Sequence, residues 1–206
     1  MFDTMASSRT GAPRHDSPSE AELVHLRDGS PVTICPTCAQ DEPALRSFLS
    51  GLSLEARRLR FFTGAPDLDY AAHLAAATDA EHCGLIAYDE RGAIVGSATY
   101  VMLDQEHAEV AVEIANDLHG RGLGTILIEQ LAAIAEGRGI TNFVASVLHE
   151  NRAMLDVFRD GFDAHLTYRD GTDTVVFPTA SWRLALDRFA EEAALKHGAS
   201  TSKAQL

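Results

Sequence analysis

The chain has 206 residues, is 46% hydrophobic and carries a formal net charge of −13, which allows one domain with a buried core and some additional tail. The acidic charge argues against nucleic acid as a partner, because phosphate binding requires a basic surface, and weakly favours a basic partner. No stretch approaches the roughly 18–20 apolar residues that span a bilayer, so we expect no membrane partner.

The chain divides into three parts by composition. Residues 1–21 are polar and lack the apolar segment of a secretory signal, so we predict a disordered tail there. Residues 22–178 form the predicted domain, with no internal linker or repeat. Residues 179–206 are predicted to form a C-terminal helix and a polar tail.

Strands and helices are predicted in turn along the first half of the domain. Residues 26–35 predict two short strands joined at Asp28-Gly29, a hairpin turn signal. Three helices are predicted next, over residues 41–50, 53–62 and 70–78. Ser53 suits the N-cap of the second helix. Residues 84–103 predict two strands around a turn at 89–92.

The second half begins with a strand over 107–115, whose residues alternate between two faces. One face carries Val110, Val112 and Ile114, and the other carries Glu109, Ala111 and Glu113. A helix with an apolar face made of Leu123, Leu127, Leu131 and Ile134 then runs to Gly137 and Gly139. The remaining predicted elements are a strand over 142–148, a helix over 151–160 capped by Asn151, strands over 164–168 and 174–177, and an amphipathic helix over 181–196. This order predicts a mixed α/β domain.

The chain has three cysteines, Cys35, Cys38 and Cys83. This number is small for a disulfide scaffold and, because it is odd, does not allow every cysteine to pair, so a reducing cytoplasm fits best. Cys35 and Cys38 form a CxxC pair, but a second pair for zinc is missing, and Pro43 postpones the helix that a thioredoxin-type site needs. The nine histidines show no metal-ligand spacing. We therefore predict no metal site.

Residues 119–124 read HGRGLG and place three glycines at alternate positions before a helix. Glycine lets backbone N–H groups approach a ligand closely, and a helix N-terminus attracts anions. The segment therefore predicts a phosphate cradle, with glycines needed only for packing as the alternative. A P-loop is excluded because Thr125 and Ile126 stand where Lys-Ser/Thr is required, and GxGxxG fails because positions 125 and 127 are not glycine.

Together with AEVAVEIAND before it, HGRGLG resembles motif A of the GNAT superfamily of N-acetyltransferases, and NRAMLDVFRDGF at 151–162 resembles motif B. The resemblance covers about residues 22–178. With LSLEARRLRFF at 52–62, the chain is further similar to bacterial protein lysine acetyltransferases of the Pat type. The resemblance implies a mixed, α+β-like fold whose central, mostly antiparallel sheet is flanked by helices and splayed near the glycine turn.

The resemblance also implies acetyl-CoA as the acyl donor. Backbone amides of residues 120–125 would hold its pyrophosphate, and the edge of the preceding strand would pair with its pantetheine amides. The coenzyme-binding residues implied in this way are Val112, Glu113, Ile114, His119, Gly120, Arg121, Gly122, Leu123, Gly124, Thr125 and Asn151.

Glu109 and Glu113 are the candidate catalytic residues. A lysine amine has a pKa of about 10.4, so a carboxylate that takes its proton is useful at pH 7. The resemblance places Glu109 as the general base and leaves Glu113 as the second choice. A solvated strand acid is the alternative for each.

Three positions depart from the family pattern. His119 replaces the usual Gln or Arg, and Phe158 replaces a Tyr that protonates the leaving thiolate in many members. The spacing from Phe158 to Gly161 is one residue short, which leaves the alignment of Phe162 open.

The sequence thus predicts transfer of an acetyl group from acetyl-CoA to lysine Nε of cytoplasmic proteins, with metabolic enzymes as expected partners. Two alternatives stay open: acetylation of a small amine, and a non-catalytic acyl-CoA sensor. The acceptor, the acyl-chain preference, the oligomeric state, the regulation and the proton donor to the thiolate are not specified by the sequence.

Overall fold

The computed structural model describes residues 21–181. The predicted N-terminal tail and the predicted helix over 181–196 therefore lie outside the described residues, except for positions 21 and 181. The eight strands are β1 (Glu22–His25), β2 (Pro31–Pro36), β3 (His82–Tyr88), β4 (Ile94–Met102), β5 (His107–Ile114), β6 (Asn142–Leu148), β7 (His165–Arg169) and β8 (Thr172–Pro178). The five α-helices are α1 (Glu42–Gly51), α2 (Leu54–Phe61), α3 (Leu68–Ala76), α4 (Leu123–Gly137) and α5 (Arg152–Gly161).

Side-chain caps fix the starts of three helices. Ser53 accepts a hydrogen bond from the backbone N–H of Ala56, and Asn151 accepts one from Met154, so α2 and α5 begin where these caps predict. Asp67 accepts hydrogen bonds from the N–H groups of the second and third residues after it. Because of this cap, α3 begins at Leu68, two residues before the predicted start.

All eight strands belong to one sheet, in the order β1-β2-β3-β4-β5-β6-β8-β7. Every neighbouring pair is antiparallel apart from β5 and β6, which run parallel. The predicted mixed α/β fold with a mostly antiparallel sheet is confirmed.

The sheet separates two apolar cores, because successive residues of a strand face opposite sides. On β3, Leu85 and Ala87 join the larger core, which α4 and α5 complete. Ile86 faces the other way and packs with Leu45 of α1 and Ala72 of α3. Helix α2 has no buried residue, but its half-buried Ala56 and Phe61 pack against this second core, and the helix also contacts β5 and β6.

The centre of the sheet opens between β5 and β6. Their pairing ends at Glu109 and Val144, whereas β5 stays paired with β4 as far as Ile114 and β6 stays paired with β8 as far as Leu148. The facing edges of β5 and β6 beyond that point are therefore free to hydrogen-bond to a ligand. Among residues 21–181, no helix is long and apolar enough to cross a membrane.

Candidate active site

A cavity of about 1100 Å³ opens where β5 and β6 part. Its walls include strands β4, β5 and β6 and helices α2, α3 and α5. The glycine turn before α4 closes one end. The volume lies at the upper end of the range for small-molecule and cofactor pockets, about 300–1000 Å³.

The glycine turn is built as an anion cradle. Gly120 and Gly122 have φ of 75° and 91°, left-handed conformations that favour glycine, and Gly122 is the N-cap of α4. Five backbone N–H groups of this turn and the helix start make no hydrogen bond within residues 21–181: those of Gly120, Gly122, Leu123, Gly124 and Thr125. All five residues line the cavity. Free amides at the start of a 15-residue helix fit a phosphate group.

The two polar side chains of this turn bind the protein itself. The Nε2 atom of His119 lies 3.0 Å from the carbonyl oxygen of Ile114, to which it donates. Arg121 donates to Asp28 at 2.8 Å, and Arg121 is absent from the described cavity wall. His119 lines the cavity but also fixes the shape of the turn.

The other predicted coenzyme-binding residues also line the cavity. Val112, Glu113 and Ile114 lie on the stretch of β5 whose outer edge is unpaired. Asn151 uses its Oδ1 atom to cap α5. Its Nδ2 group makes no hydrogen bond within residues 21–181.

Glu109 and Glu113 both line the cavity, in different environments. Glu113 has only 6% of its side chain exposed and forms an ion pair with Arg60 of α2. Glu109 is exposed, is the last residue of β5 that pairs with β6, and has no hydrogen-bond or ion-pair partner in the described chain. Glu109 is therefore the carboxylate that is free to meet a second reactant.

Phe158 provides no acid, because its ring is buried among other aromatic rings. Its centroid lies 5.1 Å from that of Phe177, and that of Phe162 lies 5.2 Å from the same ring. Phe162 is fully buried. Phe162 is therefore a core residue, whatever the spacing of the motif.

Comparison with known proteins identifies the family. The sequence profile of the Acetyltransferase (GNAT) family matches residues 52–162, which is more than half of the chain. The chain belongs to the GNAT family of acetyltransferases. It is an acyl-CoA-dependent N-acetyltransferase, as the resemblance implied.

Relatives of this acetyltransferase agree with that membership. It is 30% identical to an acetyltransferase of Pseudomonas aeruginosa over 144 residues, which cover 64% of this chain and 74% of the relative. The crystal structure of the GNAT domain of S. lividans PAT is 29% identical, with a TM-score of 0.69, and the match covers 77% of this chain and 96% of that one.

A third, more distant structure shares the fold. It is a GNAT superfamily phosphinothricin acetyltransferase (Pat) from Sinorhizobium meliloti in complex with AcCoA, 18% identical with a TM-score of 0.56, and the match covers 71% of this chain and 88% of that one. GNAT acetyltransferases use acetyl-CoA, which supplies an activated acyl group when bound. The five free amides and the two open strand edges fit a long anionic donor of this kind.

The cysteines of the acetyltransferase are poor nucleophiles. Burial raises the pKa of the Cys35 thiol to about 11, and burial followed by a hydrogen bond to Asp41 raises the pKa of Cys38. Burial also raises the pKa of Cys83. Within residues 21–181, no group of three His, Cys, Asp or Glu side chains is arranged to hold a metal ion.

The sequence did not reveal the wall formed by α2 and α3. Arg60 reaches Glu113 across 53 positions of sequence, and Phe62 and Tyr70 line the cavity while remaining 45% and 62% exposed. Arg60 and Tyr70 lie within α2 and α3, and Phe62 is the C-cap of α2. Only the packing of α2 over the parted strands brings them to the site.

Proposed function

We propose that this acetyltransferase transfers an acetyl group to lysine side chains of cytoplasmic proteins, metabolic enzymes among them, with Glu109 as general base. The observation that carries the proposal is the contrast between the two acids. Glu109 is exposed in the cavity without a partner in the described chain, whereas Arg60 holds Glu113.

The chemistry requires such a group. Keeping a lysine amine neutral at pH 7 costs roughly 4.6 kcal/mol, at 1.36 kcal/mol per pH unit below a pKa of about 10.4. Glu109 takes the ammonium proton directly or through one water, and the neutral nitrogen then attacks the acyl carbon. The amide C–N bond forms as the thioester C–S bond breaks, and CoA leaves as its thiolate. Since Glu113 is already bonded to a cation, we assign it to positioning α2 against β5.

Three observations favour a protein as the acceptor. Phe62 and Tyr70 expose aromatic surface where the cavity opens, and exposed aromatic side chains are frequent in protein interfaces. The net charge of −13 favours a lysine-bearing surface. The similarity to the GNAT domain of S. lividans PAT agrees with the Pat-type resemblance seen in the sequence.

The test is transfer of radiolabel from acetyl-CoA into a cytoplasmic extract by wild type and by Glu109→Gln. We expect labelled protein bands from wild type and a loss of about 100-fold or more in the variant, the lower end of a general base's contribution. The matched control is Glu106→Gln, an exposed strand-end acid outside the cavity wall. The chain has only two lysines, Lys196 and Lys203, so a variant lacking both removes self-labelling.

The pH dependence gives a second readout. Without a base, the rate follows the neutral amine, so the residual activity of Glu109→Gln should rise about tenfold per pH unit below the acceptor's pKa. Label found only in small molecules would indicate that the acceptor is a small amine and not a protein. Unchanged transfer in Glu109→Gln would contradict the assigned base, and intact coenzyme binding without any transfer would indicate an acyl-CoA sensor.

A further inference from the structure

The turn between β1 and β2 is attached to the glycine turn. The backbone N–H of Arg27 donates to the carbonyl oxygen of Arg121 at 3.0 Å, and Arg121 donates back to Asp28. The β1–β2 turn is itself held by a hydrogen bond of 2.9 Å from Leu26 to Ser30. The β1–β2 turn, residues 26–30, precedes the segment that the family profile matches, which begins at residue 52.

The side chain of Arg27 lies across the cradle. A Cβ atom added at Gly122 would lie 3.3 Å from both Cγ and Nε of Arg27. Arg27 is exposed and lines the cavity. It therefore carries its positive charge beside the free amides of residues 120–125.

Two further arginines near the cradle form ion pairs with carboxylates. Arg60, the second arginine in the described cavity wall, pairs with Glu113. Arg121 pairs with Asp28 and is not part of the described cavity wall. No lysine belongs to the described cavity wall.

The charge of Arg27 also acts on Glu129 of α4. This carboxyl group is buried, and the positive charge of Arg27 acts on it, opposing the effect of burial on its pKa. A guanidinium has five N–H donors in a planar fork, so one group can face both Glu129 and a phosphate.

We propose that Arg27 is a phosphate-binding residue of the donor site, contacting the coenzyme's pyrophosphate beside the backbone amides of residues 120–125. The proposal rests on acyl-CoA dependence alone and holds for any acceptor. Planar, fixed arginine donors match phosphate oxygens in pairs, which a flexible lysine does not.

The test is calorimetric binding of CoA, 3′-dephospho-CoA and pantetheine to wild type and Arg27→Gln. We expect affinity for both phosphate-bearing ligands to fall by the same factor, on the order of tenfold, and affinity for pantetheine to stay unchanged. Arg27→Lys should recover part of the loss. Arg91→Gln, in the exposed β3–β4 turn, is the matched control and should bind like wild type.

Three outcomes would overturn the assignment. Equal affinity of wild type and Arg27→Gln for CoA would remove Arg27 from the site. A loss confined to CoA would place Arg27 at the 3′-phosphate instead. A loss that includes pantetheine would indicate damage to the fold. The double variant with Arg27→Gln and Glu129→Gln tests this, because it does not leave the buried carboxylate of Glu129 without the positive charge of Arg27.

Discussion

Glu129 is an acid placed where its charge is costly. Burial raises the pKa of its carboxyl group from 4.5 to about 7, against the opposing charge of Arg27. A pKa higher in the folded than in the unfolded state gives a contribution to stability that is full below about pH 4.5. This contribution is lost as the pH rises through 7.

We therefore expect Glu129→Gln to be more stable than wild type at pH 8, by up to about 3 kcal/mol, with the advantage shrinking towards pH 5. Urea unfolding of both proteins at the two pH values measures the difference. Glu90→Gln, in the exposed β3–β4 turn, should behave like wild type throughout. A pH-independent gain in Glu129→Gln would contradict the titration of this group.

At the scale of elements, the glycine turn contains a residue that the fold does not require to be glycine. Gly124 is the second residue of α4, and a Cβ atom there would meet only Ile114, at 3.7 Å. This contact is ordinary, and alanine is the better helix former by about 1 kcal/mol. Unlike Gly122, it has no left-handed backbone to maintain.

Gly124→Ala should therefore leave the unligated protein as stable as wild type, or more stable by up to about 1 kcal/mol. It should still weaken CoA binding, because the added methyl group stands beside the free amides of the cradle. Thermal unfolding and calorimetric titration separate the two effects. The matched control is Gly137→Ala at the other end of α4, which has open space around it; weakened binding in that variant also would mean that the helix as a whole had shifted.

The sequence predicts the starts of some helices but not the contacts between distant side chains at the site. Helices α2 and α5 were placed by caps at Ser53 and Asn151, because capping is local. The cap of α3 at Asp67 is equally local, and it places the start of this helix two residues before the predicted one. The partners of Arg60 and the burial of Glu129 were beyond the sequence, since both depend on elements that are distant along the chain and meet only in the packed fold.

The glycine turn and the opening between β5 and β6 lie where the resemblance implies a coenzyme site. All the implied coenzyme-binding residues except Arg121 line the cavity. The alternation of β5 did place Glu109 and Glu113 on one face, but only the ion pair with Arg60 distinguished their availability.

At the scale of the whole molecule, the opening between β5 and β6 leaves the two halves of the sheet incompletely joined. A donor bound along both free edges would bridge them.

At a CoA concentration about 100 times its Kd, we expect the folded state to gain roughly 2.7 kcal/mol. Hydrogen exchange should slow at residues 111–114 and 145–148 and stay unchanged in β3, which is paired on both sides. Slowing spread evenly over the sheet would argue against binding in the opening. Glu109→Gln should gain as much stability as wild type.

The use of main-chain groups in the cradle has a consequence for sequence divergence. Amide hydrogens and strand edges are common to every residue type except proline, so a site made from them survives most substitutions around it. The shared fold at 18% identity to the Sinorhizobium meliloti enzyme agrees with this. The α2–α3 wall uses side chains and is free to change separately. An engineer seeking a new acceptor would accordingly redesign residues 54–76 and leave the donor half untouched.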